Sequence, residues 1–202
     1  SSVQATPPVG MFTQVSAGAA HSCAVGIDGR LVCWGSNTYG QASWPGGAYT
    51  QISAGNYHTC AIQTGGALAC WGDNSSGQLF APGGIFTQVS AGGAHSCAVQ
   101  SDGTLACWGA NGSGQATAPV GTFTQVSSGA HHSCAVKTDE TLVCWGAAVE
   151  KGNNYGQVTP QSGTFAQVGA GGLHTCGLRT DETLVCWGAN HWGQLTPPPL
   201  GT

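Results

Sequence analysis

Two short motifs, H-x-C and C-W-G, alternate five times along this chain of 202 residues. The histidines are His21, His58, His95, His132 and His174. The C-W-G cysteines are Cys33, Cys70, Cys107, Cys144 and Cys186. Within each copy the two cysteines stand ten residues apart, and successive copies step by 37, 37, 37 and 42 residues. A period of this size marks a stacked array of small units, each too small to bury a core alone. The longer fourth step is a five-residue insertion in GAAVEKGNNYGQ (146–157), compared with GANGSGQ (109–115).

Each copy reads aromatic-T-Q-hydrophobic-S-A-G, then H-[ST]-C-A-[VI], a turn, L-x-C-W-G-x-N-x-x-G-Q and a Pro/Gly link, with small departures. Phe12, Tyr49, Phe86, Phe123 and Phe165 keep the phase, and the fourth copy shifts its Asn to Asn153. Gly and Pro interrupt every apolar run before it reaches two helical turns. The runs are short, β-branched and aromatic, so three or four antiparallel strands per copy are expected. The units fall at about 12–48, 49–85, 86–122, 123–164 and 165–202, after a link segment 1–11, in one domain over 1–202.

The hairpin arithmetic places the cysteines. A three-residue loop Ile27-Asp28-Gly29, with its glycine left-handed, makes Gly26 and Arg30 the first hydrogen-bonded pair. Val25 then faces Leu31, Ala24 faces Val32, and Cys23 faces Cys33 at a non-hydrogen-bonded site. There the Cα atoms lie about 4.5 Å apart, within reach of a disulfide. The same count pairs Cys60 with Cys70, Cys97 with Cys107, Cys134 with Cys144, and Cys176 with Cys186. In the last two copies Glu140 and Glu182 replace the turn glycine, and a different loop is expected there. Free buried thiols and zinc are the rival readings. For zinc, each copy offers His and two Cys on one face but lacks the fourth ligand of a structural site. Persistent disulfides imply an oxidising, extracellular or cell-surface setting.

The tryptophan after each second cysteine points to the face opposite His and Cys, and packing of sheet against sheet is its expected role. The histidines are expected to bond neighbouring backbone. The Asn and GQ positions are expected to shape turns.

Charge is scarce. Lys and Arg number 4, Asp and Glu 8, and charged residues make up 6% of the chain, against roughly 25% in ordinary domains. So few cations cannot track phosphates, which argues against a nucleic-acid partner. No run of 18 apolar residues is present, so no membrane-spanning helix is expected. The start, SSVQATPPVG, reads as that of a mature or excised domain without a signal peptide. Carboxylates are too sparse to orient a catalytic base, so no enzyme activity, cofactor or metal is expected.

The pattern H-x-C-A-V…DG-x-L-x-C-W-G-x-N-x-x-GQ resembles the repeat of the regulator of chromosome condensation family, over essentially the whole chain. The short repeats are similar to those of bacterial propellers of the β-lactamase-inhibitory type. The resemblance implies an all-β fold, a β-propeller of five blades each with its own disulfide. The family ring is usually seven-bladed, so five copies make either a five-bladed ring or part of a larger one. Family activities include nucleotide exchange on a small GTPase, chromatin binding, ultraviolet sensing and enzyme inhibition, almost all of them binding tasks.

Copies differ at two positions, and binding or local packing is expected there. Before the GQ glycine stand Tyr39, Ser76, Ser113, Tyr155 and Trp192. Before the repeated His stand Ala20, Tyr57, Ala94, His131 and Leu173. In inhibitor-type relatives such loop aromatics hold the partner, which implies Tyr39, Tyr57, Tyr155 and Trp192 here, with His131 and His191 nearby. Trp44 and Phe80, in the links, are expected to fill gaps at the outer edge. A secreted protein-binding module is the leading reading. A carbohydrate-binding lectin with glycan ligands is the second. The third is a structural surface or filament subunit, because six links (4–10, 41–47, 78–84, 115–121, 157–163 and 194–201) serve five hairpins. The surplus link points to head-to-tail self-association.

Overall fold

A computed structural model describes residue 6, residues 8–147, residue 152 and residues 154–196. Each repeat forms one blade, a three-stranded antiparallel sheet in simple up-down order. Blade one is β1 (Phe12–Ala17), β2 (His21–Gly26) and β3 (Leu31–Gly35). Blade two is β4 (Tyr49–Ala54), β5 (His58–Gln63) and β6 (Leu68–Gly72). Blade three is β7 (Phe86–Ala91), β8 (His95–Gln100) and β9 (Leu105–Gly109). Blade four is β10 (Phe123–Ser128), β11 (His132–Lys137) and β12 (Leu142–Gly146), and blade five is β13 (Phe165–Ala170), β14 (His174–Arg179) and β15 (Leu184–Gly188). The range of three or four strands thus settles at three.

The expected hairpin register holds. Val25 faces Leu31, Ala24 faces Val32 and Cys23 faces Cys33, and the other four blades repeat this. Gly26 N–H donates to the Arg30 carbonyl at 2.7 Å, and Gly29 takes φ +79°. The five disulfides are those expected from the count, with Cα atoms 4.1 Å apart in Cys23–Cys33 and 4.0 Å in Cys176–Cys186. No cysteine is free, so the zinc and free-thiol readings fall away.

One loop expectation fails. Glu140 and Glu182 keep the turn, donating N–H to Lys137 and Arg179 carbonyls. They adopt φ +67° and +69°, left-handed values that glycine takes in the other copies. The hairpin register is held from both sides, by the disulfide and by the flanking pairs, and the glutamates bear the backbone cost.

Blades stack so that the His/Cys face of one packs on the aromatic/Trp face of the next. In the first seam Cys23, Val25 and Leu31 meet Tyr49, Ile52, Ala61 and Trp71. The same arrangement recurs in the following three seams. Side chains also bridge neighbouring inner strands. Ile52 N–H donates to Gln14 Oε1 at 2.8 Å and Ala54 N–H to Ser16 Oγ at 2.9 Å. Equivalent pairs lead from Gln51 and Ser53, Gln88 and Ser90, and Gln125 and Ser127. The T-Q-[VI]-S repetition carries these bridges. They replace a direct backbone ladder between blades that diverge from a common axis.

Turns from all five blades line one axial cavity of about 270 Å³, among them those at Gly18, Gly55, Gly92, Gly129 and Gly171. The turns approach closely there. A Cβ on Gly55 would lie 2.5 Å from the Gly92 carbonyl oxygen and 2.5 Å from His58 Cε1.

Candidate functional site

The variable positions lie at the end of the propeller where β1 turns into β2 and where β3 exits. Two locks hold them. The amide of the residue after each C-W-G donates to the carbonyl of the residue before the His of the same blade: Ser36 to Ala20, Asp73 to Tyr57, Ala110 to Ala94, Ala147 to His131 and Ala189 to Leu173. The GQ glutamine supplies the second lock. Its Oε1 accepts the amide of the residue two before it, at 2.9 Å for Tyr39 and 2.7–2.8 Å for Ser76, Ser113, Tyr155 and Trp192. Asn37, Asn74, Asn111 and Asn190 brace the same loop by accepting an amide five residues on. Asn153 and the pair Glu150-Lys151 lie outside the described residues.

The glutamine main chain does a different task. The Gln41 carbonyl accepts both Trp71 Nε1–H and Thr59 Oγ–H of blade two, each at 2.9 Å. Thr59 Oγ lies 2.8 Å from His21 Nε2 of blade one. Because the threonine proton goes to Gln41, His21 must donate from Nε2 and leave Nδ1 bare. His58–Ser96, His95–Ser133 and His132–Thr175 repeat the cross-blade contact at 2.8–2.9 Å. The expectation that these histidines bond neighbouring backbone is therefore corrected. Their partner is a hydroxyl of the next blade, because the face of the middle strand that carries His and Cys packs on the seam. Burial lowers the His58 and His132 pKa to about 4 and that of His95 to about 3, and lowers that of His21 as well. All four rings are neutral and structural.

The candidate binding residues fall into two groups. Tyr39 of blade one and Tyr57 of blade two form a tilted pair with ring centroids 5.3 Å apart. Tyr155 of blade four meets His191 of blade five edge-on at 5.2 Å. Trp192, 93% exposed, stands beside that second pair. His131 is exposed and enters neither pair. Phe80 is exposed and Trp44 only part-covered, so neither fills a gap at the outer edge as expected. Among the described residues, no group of three or more His, Cys, Asp or Glu side chains is placed to hold a metal ion.

The regulator of chromosome condensation (RCC1) repeat model matches residues 12–41, 49–78, 86–115, 123–157 and 165–194. The chain belongs to that family. This RCC1-repeat chain is similar to the ectodomain of the Physcomitrella patens receptor kinase CR4. The identity is 29% and the TM-score 0.76, over 90% of this chain and 52% of that one. The ectodomain of the Arabidopsis thaliana receptor kinase ACR4 is 27% identical with TM-score 0.73, over 91% and 68%. Prp20p of Saccharomyces cerevisiae, described with its binding to Gsp1p and histones, shares the fold at 18% identity and TM-score 0.75, over 92% and 59%. The RCC1-repeat chain thus spans about half the length of the moss ectodomain. No curated protein matches it at the level of sequence.

Proposed function

We propose that this chain is a non-catalytic binding module of a secreted or cell-surface protein, and that its partner is a protein held by the loop aromatics. Support comes first from the paired locks. Every blade spends its Gln side chain on fixing the loop, and blades one, two, three and five spend an Asn as well, while the side chains so presented differ among blades. A rigid scaffold with two variable positions per unit is how repeat folds present a binding surface. The variants are Tyr39, Tyr57, Tyr155 and Trp192, amphipathic rings of the kind enriched at the centres of protein interfaces.

A protein partner fits this chemistry better than a glycan. Sugar sites pair an aromatic platform with free amides or carboxylates. Here Gln41 and Asn37, the polar side chains beside Tyr39, are both engaged within the loop. The five disulfides and the two receptor-kinase ectodomain relatives support an oxidising compartment. No helix among the described residues is long and apolar enough to cross a membrane.

The test compares the wild-type chain with the quadruple variant Tyr39→Ser, Tyr57→Ser, Tyr155→Ser, Trp192→Ser. Both are immobilised and exposed to native extracellular medium and to a glycan array. A protein retained by the first and lost from the second, with unchanged circular dichroism, supports the reading. Equal retention by both, or selective glycan binding by the wild type, overturns it.

A further inference from the structure

One loop position is used in two ways around the propeller. Two residues after the loop asparagine stand Tyr39, Tyr155 and Trp192 in blades one, four and five, but Ser76 and Ser113 in blades two and three. The serines complete two Asn-x-Ser triplets, Asn74-Ser75-Ser76 and Asn111-Gly112-Ser113, the acceptor pattern for N-linked sugar. No other asparagine of the chain has Ser or Thr at that spacing.

The structure separates the two triplets. Asn111 spends its whole side chain on the loop. Its Oδ1 accepts Ala116 N–H at 2.9 Å and its Nδ2 donates to Thr117 Oγ1 at 3.0 Å. Asn37 does the same with Ala42 and Ser43. In blade two the residue six after the asparagine is Phe80, which offers no acceptor. Asn74 Oδ1 still accepts Leu79 N–H at 3.0 Å, but its Nδ2 donates to no described residue. The loop holds without that bond. Asp73 braces it instead, accepting Ser75 N–H, Ser75 Oγ–H and Gln78 Nε2–H at 2.7–3.1 Å. Asn74 and Ser76 are exposed, whereas Ser113 is buried.

Phe80 is a second, separate observation. Its ring is 74% exposed where the other blades carry Ser43, Thr117, Thr159 and Thr196. The ring lies against Gly77, which closes the turn that Asn74 opens. A Cβ on Gly77 would stand 3.4 Å from Phe80 Cδ2, and Gly77 N–H donates to the Asn74 carbonyl at 3.2 Å. An open aromatic face beside an acceptor amide is a platform for the C–H face of a pyranose.

We propose that Asn74 carries an N-linked oligosaccharide and that its first sugar packs on Phe80. The proposal rests on the secretory setting proposed for this chain, where the glycosyl donor is met. Asn74 Nδ2 bonds to the anomeric carbon of a polyprenyl-diphosphate-linked oligosaccharide. The bond from that carbon to the diphosphate oxygen breaks, polyprenyl diphosphate leaves and Nδ2 gives up one proton. The product amide keeps Oδ1, so the bond from Leu79 survives. At Asn111 a sugar would displace the Nδ2 bond to Thr117, and the folded loop selects against it. The same loop position thus presents a ring in three blades and completes a sugar acceptor in one.

Peptide mapping of the native extracellular chain tests the site. A glycan is expected on Asn74, and Asn111 is expected to be unmodified. The full chain secreted from a glycosylating eukaryotic host supplies the variants. Ser76→Ala should abolish the modification while leaving Asn74 in place. The glycosylated wild type should melt about 2–4 °C above Ser76→Ala, and the same comparison in a Phe80→Thr background should show no difference although the glycan is still attached. Unmodified Asn74 in native material, modification of Asn111 to the same extent, or a thermal shift that survives Phe80→Thr overturns the inference. The same peptide maps read the cysteines. Unmodified Asn74 with Cys60 still linked to Cys70 overturns the sugar site alone, whereas reduced cysteines overturn the secretory setting with it.

Discussion

Trp71 of blade two donates its indole N–H to the main-chain carbonyl of Gln41, 2.9 Å away in the link leaving blade one. The same oxygen accepts Thr59, and Thr59 accepts His21. One carbonyl therefore ties the link, the middle strand and the outer strand of the seam together. The link is a cross-blade clamp as well as a connection.

Thr59→Val keeps the shape of the side chain and removes the hydroxyl. It leaves the His21 donor unpaired in a buried seam and takes one donor from Gln41. A loss of about 2–3 kcal/mol is expected. Trp71→Phe removes the other donor and part of the packing, and should cost a similar amount. A double-mutant cycle by urea unfolding should show the two effects to be coupled, since they share one acceptor.

The buried histidines make the fold acid-sensitive. His58, His95 and His132 have folded pKa values near 4, 3 and 4, lowered chiefly by burial and, for His95, further by His58 and His132. The unfolded value is about 6.5. A depressed histidine means that the unfolded chain binds the proton first. Stability is therefore full above about pH 6.5 and falls as the pH drops toward 4. Each histidine contributes a slope of up to about 1.4 kcal/mol per pH unit in that window. Urea midpoints measured at pH 7, 6 and 5 should decline steadily, and replacing His95 by Asn should flatten the decline.

Gly55→Ala tests the close approach at the axis. The added methyl meets a backbone oxygen and the His58 ring, and neither is a flexible chain end. A destabilisation of about 1–3 kcal/mol is expected by thermal unfolding. Gly112→Ala, where a Cβ meets nothing within 4 Å, is the control.

Glu140 offers the opposite test. It holds φ +67° in a turn whose other copies use glycine. Glu140→Gly should stabilise the chain by about 0.5–1 kcal/mol, the left-handed penalty less the extra freedom glycine has when unfolded. No change in the melting temperature would mean that the turn relaxes around glutamate.

Each disulfide closes a short loop inside a hairpin that the strands already favour. Replacing Cys97 and Cys107 together by Ala should therefore cost less than the roughly 2–3 kcal/mol of the chain-entropy model. Peptide mapping under non-reducing conditions should return Cys97 linked to Cys107 and to no other cysteine.

The pairing of Cys23 with Cys33 was legible because everything that sets it lies between residues 23 and 33. Loop length, the left-handed position and period-two alternation are local, and they hold in every copy. Even the strain at Glu140 was visible as a residue in the wrong conformational class. What could not be read locally is that the copy keeps its loop and bears that strain. The partner of His21 was hidden in the same way. Thr59 lies 38 residues away in the next copy, and a sequence of near-identical units does not say which groups face across a seam. The Gln and Ser of T-Q-[VI]-S were equally silent, although their strict recurrence was a signal of shared work between blades. In the candidate site, the variable positions stood out by contrast with their constant surroundings. That Tyr39 meets Tyr57, and Tyr155 meets His191, depends on which loops adjoin.

From residue order alone follow the blade, its short antiparallel strands, its sulfur bridge and the residue types on each face, because turn chemistry and alternation act over a few residues. The stacking direction, the neutral buried histidines and the two aromatic pairs needed the tertiary structure. They are relations between separate copies, set by how far each sheet turns about the common axis, and no local pattern carries that angle.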